Sequence, residues 1–422
     1  MPLIYTSSVT AEILAIGSEL LTPFFQDTNS LHLTEKLNDL GVDVHFKTVV
    51  GDRHADLVAA ARSALDRADI VIFMGGLGPT EDDLTRECVA EALGVELKRD
   101  PAWIAELYKR FAERKWKVSP NNDKQADVIA GARLIPNSRG TAPGQFLDTQ
   151  VEEQRRIVIL LPGPPWELEP MFDEQVLPLL QEAVPRQSIA TRVLKVAMMG
   201  ESACDARIAP IYKKYADVET TILASAGDLQ LHLRCRKDTL PEAQARVAAL
   251  ADELEDELGD FVYSTKGESL PQIVEYLLEV RGATIAVAES CTGGMVGERL
   301  TSVSGSSRSF LGGAVVYSND LKTAFADVPP LLIAAHGAVS KEVAAALAEG
   351  IRKRSKATLG LGITGVAGPT GGTAEKPVGL VYLALSDARN TEVLERNFPG
   401  DRDRIRRYAT QQALDMVRRK LM

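Results

Sequence analysis

The sequence predicts an α/β protein, with two α/β domains at residues 1–180 and 268–422 joined by a small α+β module at 188–262. Three observations carry this. Short β-branched runs alternate with amphipathic stretches in both long segments, the pattern of right-handed βαβ units on a parallel sheet. The middle segment has two strand-like runs and one long apolar-faced helix instead. The chain, at 422 residues with 45% hydrophobic and 25% charged residues, is long enough for several separate cores.

In the first domain "AEILAIG" reads as a strand and "DTNSLHLTEKLNDLG" as a helix ending at Gly41. "VDVHFKTVVGD" is the next strand and "RHADLVAAARSALDRA" the next helix. "DIVIFMGGLGP" is a strand running into a glycine-rich turn, followed by the helix "LTRECVAEALG". In the middle module "TRVLKVAMMG" and "DLQLHLRCRK" read as strands. Val247, Leu250, Leu254 and Leu258 recur there at helical spacing, so one helix face is apolar. "STKGESLPQ" reads as a linker. The last domain has its own strands in "TIAVA", "GGAVVYS", "TLGLGIT" and "GLVYLALS".

The formal net charge of −10 argues against a nucleic-acid footprint. The amino-terminal stretch lacks the basic region and apolar core of a signal peptide, and no apolar run is long enough to span a membrane. Cys88, Cys204, Cys235 and Cys291 show no metal-ligand spacing. A reduced, cytoplasmic setting is expected.

The chemistry concentrates at "AESCTGG", where Ser290 and Cys291 sit between a strand and a helix start. A histidine base has one local candidate, His336, and the GxSxG elbow is absent. Lysine is the other base a serine can use, and "YSNDLK" supplies Lys322. Such a lysine must be neutral, which needs burial or a cationic neighbour. Cys291 is the rival nucleophile. Its default reading is a small core residue.

The motifs "AESCTGG", "GSS", "VVYSNDLK", "HGAVS", "GITGVAGPTGG", "KPVGLVY" and "FPGDRDRIRR", in this order, resemble the CinA C-terminal domain, the PncC-type nicotinamide mononucleotide (NMN) amidohydrolases. The resemblance implies hydrolysis of the NMN carboxamide with no cofactor. It makes Ser290 the nucleophile and Lys322 its activator, with Ser307 and Tyr317 assisting. Substrate contacts would fall on Thr292, Gly293, Thr364, Gly365, Gly368 and Arg402. Backbone N–H groups following Ser290, at the helix start, suit an oxyanion.

In "MGGLGPTEDDLT", Gly75, Gly76 and Gly78 permit close backbone approach to a ligand at a helix start. Asp82 and Asp83 would repel a phosphate unless a cation intervenes. This domain resembles the CinA N-terminal domain, which is similar to molybdopterin-binding proteins of the MoaB/MogA type. The resemblance implies a metal-dependent ADP-ribose pyrophosphatase using Mg, Mn or Co. Asp52, Asp82 and Asp83 would hold the metal, and Asp27, Asn29, Thr80, Lys124 and Gln125 would join the glycines at the substrate. Ser18 and Pro23 depart from the CinA pattern, which usually has an acid and a glycine there. The middle module resembles the KH-like module of CinA proteins, but it lacks the GXXG loop that binds RNA.

The leading expectation is a bifunctional enzyme of pyridine-nucleotide salvage acting on NMN and ADP-ribose, as a homodimer with no membrane or nucleic-acid partner. The alternatives are a molybdopterin-binding protein of cofactor synthesis and a non-catalytic competence or DNA-damage-inducible partner protein.

Overall fold

Buried β-branched runs set the architecture. A computed structural model describes residues 9–185 and 188–422. The first eight residues, part of the stretch read against a signal peptide, fall outside the described residues. The strands are β1 Thr10–Ile16, β2 Asp43–Val50, β3 Ile70–Met74, β4 Leu97–Arg99, β5 Asp127–Ile129, β6 Arg133–Ile135, β7 Gly144–Val151, β8 Gln154–Leu161, β9 Ser188–Ala197, β10 Val218–Ser225, β11 Asp228–Lys237, β12 Val262–Ser264, β13 Ile285–Glu289, β14 Phe310–Val315, β15 Leu359–Gly365, β16 Leu380–Ser386 and β17 Thr391–Asn397. Two compact units result, Met1–Ile189 with Lys237–Thr239, and Ala190–Arg236 with Leu240–Met422. No helix among the described residues is long and apolar enough to cross a membrane.

The first unit is built on a sheet ordered β2-β1-β3-β8-β7-β6. The expected parallel pairing holds for β2, β1 and β3, and β8, a strand not read from the sequence, joins β3 in parallel. β7 and β6 extend it antiparallel, which the sequence reading missed. The β7–β8 hairpin turns through Glu152 and Glu153, both at positive φ. That is the geometry of a two-residue type I′ turn, normally signalled by Asn-Gly. β1 is buried on both faces: Leu14 and Ile16 enter one core, Ala11, Ile13 and Ala15 the other. Parallel strands covered by helices on both sides favour such an apolar run, which buried Glu12 interrupts here by pairing with Arg67 at 2.8 Å.

In the second unit the KH-like segment forms a sheet ordered β10-β11-β9-β12. Leu229, Leu231, Leu233 and Cys235 alternate along β11 onto a core shared with Val247, Leu250, Leu254 and Leu258 of the helix Leu240–Leu258. The predicted apolar face is therefore the packed one. The stretch read as a linker is instead structured: β12 ends at Ser264, whose hydroxyl meets Glu268, and a Ser269–Gln272 capping box starts the helix Leu270–Val280.

The last sheet is ordered β14-β13-β15-β16-β17, with β14, β13 and β15 parallel and β16 and β17 antiparallel. Ile285 and Val287 of β13 face a core with the terminal helix Arg402–Leu421, while Ala286 and Ala288 face the helix Lys341–Ser355. Near the end of the terminal helix the fully buried Asp415 and Arg418 pair at 2.7 Å, and Arg418 also donates to the carbonyl of Asp260 at 2.6 Å. Asp415→Ala leaves that guanidinium buried without its carboxylate. Denaturant unfolding of the variant is expected to show a loss of about 3–5 kcal/mol.

Candidate active site

The carboxyl ends of β14, β13 and β15 lie side by side, where open α/β sheets bind ligands. Ser290 follows β13 directly, and its N–H donates to the carbonyl of Ile363 on β15 at 3.0 Å. Beyond β14 the chain passes Tyr317 and enters the helix Asn319–Ala326, capped by the Ser318 hydroxyl. That helix carries Lys322 back over the end of β13.

Lys322 is 2% exposed. Its Nζ stands 3.2 Å from Ser290 Oγ, 2.9 Å from the carbonyl oxygen of Val316 and 3.2 Å from that of Tyr317. Burial pushes its pKa below the ordinary lysine value. No acidic side chain forms an ion pair with it among the described residues. Two carbonyls can only accept, so they take two N–H bonds of the amine and leave its third direction to the serine hydroxyl; when the amine is neutral that direction is its lone pair.

Cys291 is a core residue. It is buried among Ile285, Val287 and Leu361, and burial pushes its thiol up to about 12. Cys88 and Cys204 are also buried, with thiols raised to about 11, and Cys235 is buried on β11. His336 faces Glu342 at 3.6 Å, and no hydrogen bond joins it to Ser290 among the described residues.

Glu289, which the sequence reading passed over, organises the nucleophile turn. It is 1% exposed, and its carboxylate accepts the N–H groups of Gly294 at 3.0 Å, Val296 at 3.1 Å and Gly297 at 2.9 Å. These are the donors at the start of the helix Met295–Thr301. The expectation that this helix start serves an oxyanion is thereby narrowed. Gly293 N–H is taken by the carbonyl of Ser290, so Cys291 and Thr292 supply the neighbouring amides with no backbone acceptor among the described residues. An acid placed one residue before the serine and five before a glycine was the available signal.

The terminal helix clamps the same turn. Arg406 donates to the carbonyl of Thr292 at 2.7 Å. Arg402 reaches the Gly368 carbonyl and the Tyr317 hydroxyl, both at 2.7 Å. Three predicted residues from distant segments thus meet. Thr292 is fully buried with its hydroxyl unpartnered, and Gly293 adopts a left-handed φ beside Arg406. Thr364 is also buried and gives its hydroxyl to the carbonyl of Ala338 at 2.8 Å, so it shapes the loop. At Gly365 a Cβ would press on Leu380 and Val381, which explains the glycine by packing.

Ser307 does not belong to this cluster. β13 and β14 are parallel, with Ile285 opposite Phe310 and Glu289 opposite Val315. Ser307 precedes β14 and Ser290 follows β13, so they lie at opposite ends of two parallel strands, about 15 Å or more apart. Sequence order hid this, because the motif spacing contains a whole strand.

The N-terminal candidates gather around the end of β3. Here the glycines serve the protein's own packing. A Cβ on Gly75 would strike the carbonyl of Ile16, one on Gly76 the Thr85 hydroxyl and one on Gly78 the Asp83 carboxylate. Arg86, another residue missed, is fully buried and holds the carbonyls of Leu77 and Gly78 at 2.9 and 3.0 Å. Asp82 and Asp83 both turn onto Thr80. Lys124 donates to the Thr80 carbonyl at 3.2 Å and pairs with Glu87 at 3.1 Å. Gln125 is buried and bonds Thr141. Asp27, just before the helix Asn29–Asp39, accepts the Ser30 N–H at 3.0 Å, and Asn29 donates to the Gly163 carbonyl at 2.7 Å, with its own amide oxygen buried and unpartnered. Asp52 is engaged elsewhere, accepting from Ser18 N–H at 2.8 Å. No group of three metal-ligating side chains forms among the described residues. The expected Asp52, Asp82, Asp83 metal set does not fit, because its members are bound to different loops.

Residues 12–182 match the family model described as "Probable molybdopterin binding domain", residues 191–264 the "Damage-inducible protein CinA KH domain" and residues 267–421 the "CinA C-terminal domain". A "CinA-like protein" of Acidobacterium capsulatum is 64% identical, over 98% of this chain and 100% of its own length. One of Koribacter versatilis is 61% identical over the same shares. The solved competence/damage inducible protein CihA of Agrobacterium tumefaciens is 38% identical, with TM-score 0.34, over 35% of this chain and 90% of its own. With the three domain families matched in order and full-length relatives above 60% identity, the chain belongs to the CinA family of competence/damage-inducible proteins.

Proposed function

We propose that the C-terminal domain hydrolyses the carboxamide of NMN to nicotinate mononucleotide and ammonia. The observation that carries this reading is the buried Lys322 amine 3.2 Å from Ser290 Oγ, among carbonyls and with no ion-pair partner among the described residues. Neutral Lys322 takes the hydroxyl proton as Ser290 Oγ attacks the carboxamide carbon. The amides of Cys291 and Thr292 receive the oxyanion. Collapse breaks the C–N bond, and the proton on Lys322 passes to the leaving nitrogen, which departs as ammonia. Water then attacks the ester, Lys322 takes its proton, and the acid and free Ser290 are restored. The pyridinium ring withdraws electrons from the amide, and Arg402 suits the substrate phosphate. No cofactor enters.

An ammonia-release assay with NMN tests this. Ser290→Ala is expected to abolish activity and Lys322→Ala to lower kcat by about 100-fold or more, the scale of general-base catalysis. Cys291→Ala should keep most of it. Loss in the cysteine variant with activity in Ser290→Ala overturns the assignment.

The base must be unprotonated to act. kcat/KM should therefore rise with pH and level off at a pKa below about 10.4, the ordinary lysine value. Between the lowered folded value and the unfolded one, the unfolded chain binds more protons, so stability also rises with pH there. Lys322→Met should remove both dependences, read by the rate profile and by thermal melts across pH. A fall in kcat/KM through that window would contradict a lysine base.

For the N-terminal domain we propose binding and hydrolysis of ADP-ribose at the Thr80 turn, a reading supported by the family resemblance and by Lys124 beside the turn, while Asp82 and Asp83 on the same turn require a cation before a diphosphate can approach. Among the described residues the three aspartates form no preformed metal site. Asp83→Asn should lower AMP release from ADP-ribose, assayed with and without Mg, Mn or Co, while sparing NMN deamidation. Molybdopterin binding without AMP release would favour the cofactor-synthesis alternative. The domain is expected to pair as a homodimer, which sedimentation measures.

A further inference from the structure

A cavity of about 400 Å³ opens between the β10–β11 turn, the helix Met295–Thr301 and the terminal helix. Its walls include Ser225, Asp228, Arg299, Arg407 and Gln411, with Met295 adding an apolar surface. Buried Gln411 stands between two charges: its amide oxygen accepts from Arg299 Nη1 at 2.6 Å, and its nitrogen donates to Asp228 Oδ1 at 3.4 Å. The Tyr263 hydroxyl donates to the same Oδ1 at 2.7 Å. Asp228 Oδ2 and Arg299 Nη2 carry no hydrogen bond among the described residues and are not among the sealed polar atoms.

Neither charge has an ion-pair partner among the described residues, and Gln411 holds the two apart. Burial raises the Asp228 pKa and lowers that of Arg299, although Lys195 and Arg299 draw Asp228 back. Half-buried charges whose opposite charges stand off without pairing are costly unless something completes them. An anion alone would meet Asp228 and Glu298. A cation alone would meet Arg299 and Arg407, the latter tied to Asp403 at 2.6 Å. A ligand with both charges a few ångströms apart satisfies both walls.

We propose that this cavity binds a free α-amino acid, its ammonium on Asp228 and its carboxylate on Arg299. The site is separate from the serine–lysine centre and does not depend on the NMN reading.

Isothermal titration of the full-length protein with the standard α-amino acids, and with acetate, methylammonium and inorganic phosphate as single-charge probes, tests it. At least one amino acid is expected to bind saturably, with each single-charge probe weaker by about tenfold or more. Arg299→Met and Asp228→Asn should each weaken binding by about tenfold or more. Ala226→Trp, which fills the cavity rim and removes no charge, should block it, and circular dichroism melts establish that each variant is folded. No binding by any amino acid at millimolar concentration overturns the proposal. So does phosphate or acetate binding as tightly, or unchanged binding in folded Ala226→Trp.

Discussion

A lysine in a protein interior must be paired, neutral or near water, and burial with no carboxylate partner among the described residues moves Lys322 toward the second option. Its amine lies at the meeting of two strand ends, where the carbonyls of Val316 and Tyr317 fix two of its three directions. The third direction is left for Ser290. This constraint orders the surrounding chain. β13 must end where it does to place the serine, and β14 must be its parallel neighbour so that the following helix returns over that end. Glu289 then removes the helix-start amides from play, leaving the two nearest the serine.

The nucleophile and its base were legible in the sequence because both sit in short motifs joined to recognisable strands. Arg402, Tyr317 and Gly368 were legible as motif members, although their meeting needed the sheet order. Glu289 was not seen because a lone acid after a β-branched run reads as the last residue of a strand. Its partners are backbone N–H groups, which carry no sequence identity. Ser307 was misplaced for a geometric reason. Sixteen residues of chain separate Ser290 from Ser307, and motif order does not record at which end of the strands a segment lies.

The N-terminal domain shows the complementary error. A glycine-rich turn at a helix start suggests space for a ligand, yet at Gly75, Gly76 and Gly78 that space is filled by Ile16, Thr85 and Asp83. Tight packing and close ligand approach demand the same residue, so sequence cannot separate them. Arg86 was equally hidden. It reads as a charged surface residue of an amphipathic helix, and only the fold turns it inward to hold two carbonyls. The fold itself was well anticipated, apart from the antiparallel strands at the sheet edges, where alternation is weak and the β7–β8 turn uses Glu-Glu in place of Asn-Gly.

The buried cysteines have a practical consequence. Thiol reagents attack the thiolate, and a thiol with a pKa near 11 is ionised to only about one part in a thousand at pH 8. Cys88 and Cys204 fall in that range, Cys291 lies higher, and Cys235 is shielded by the packing of its strand. A single cysteine introduced on the surface would therefore outcompete all four native ones for a maleimide dye. Fluorophores or spin labels can then be placed on the protein without first stripping its own sulfur, leaving the residue beside Ser290 untouched.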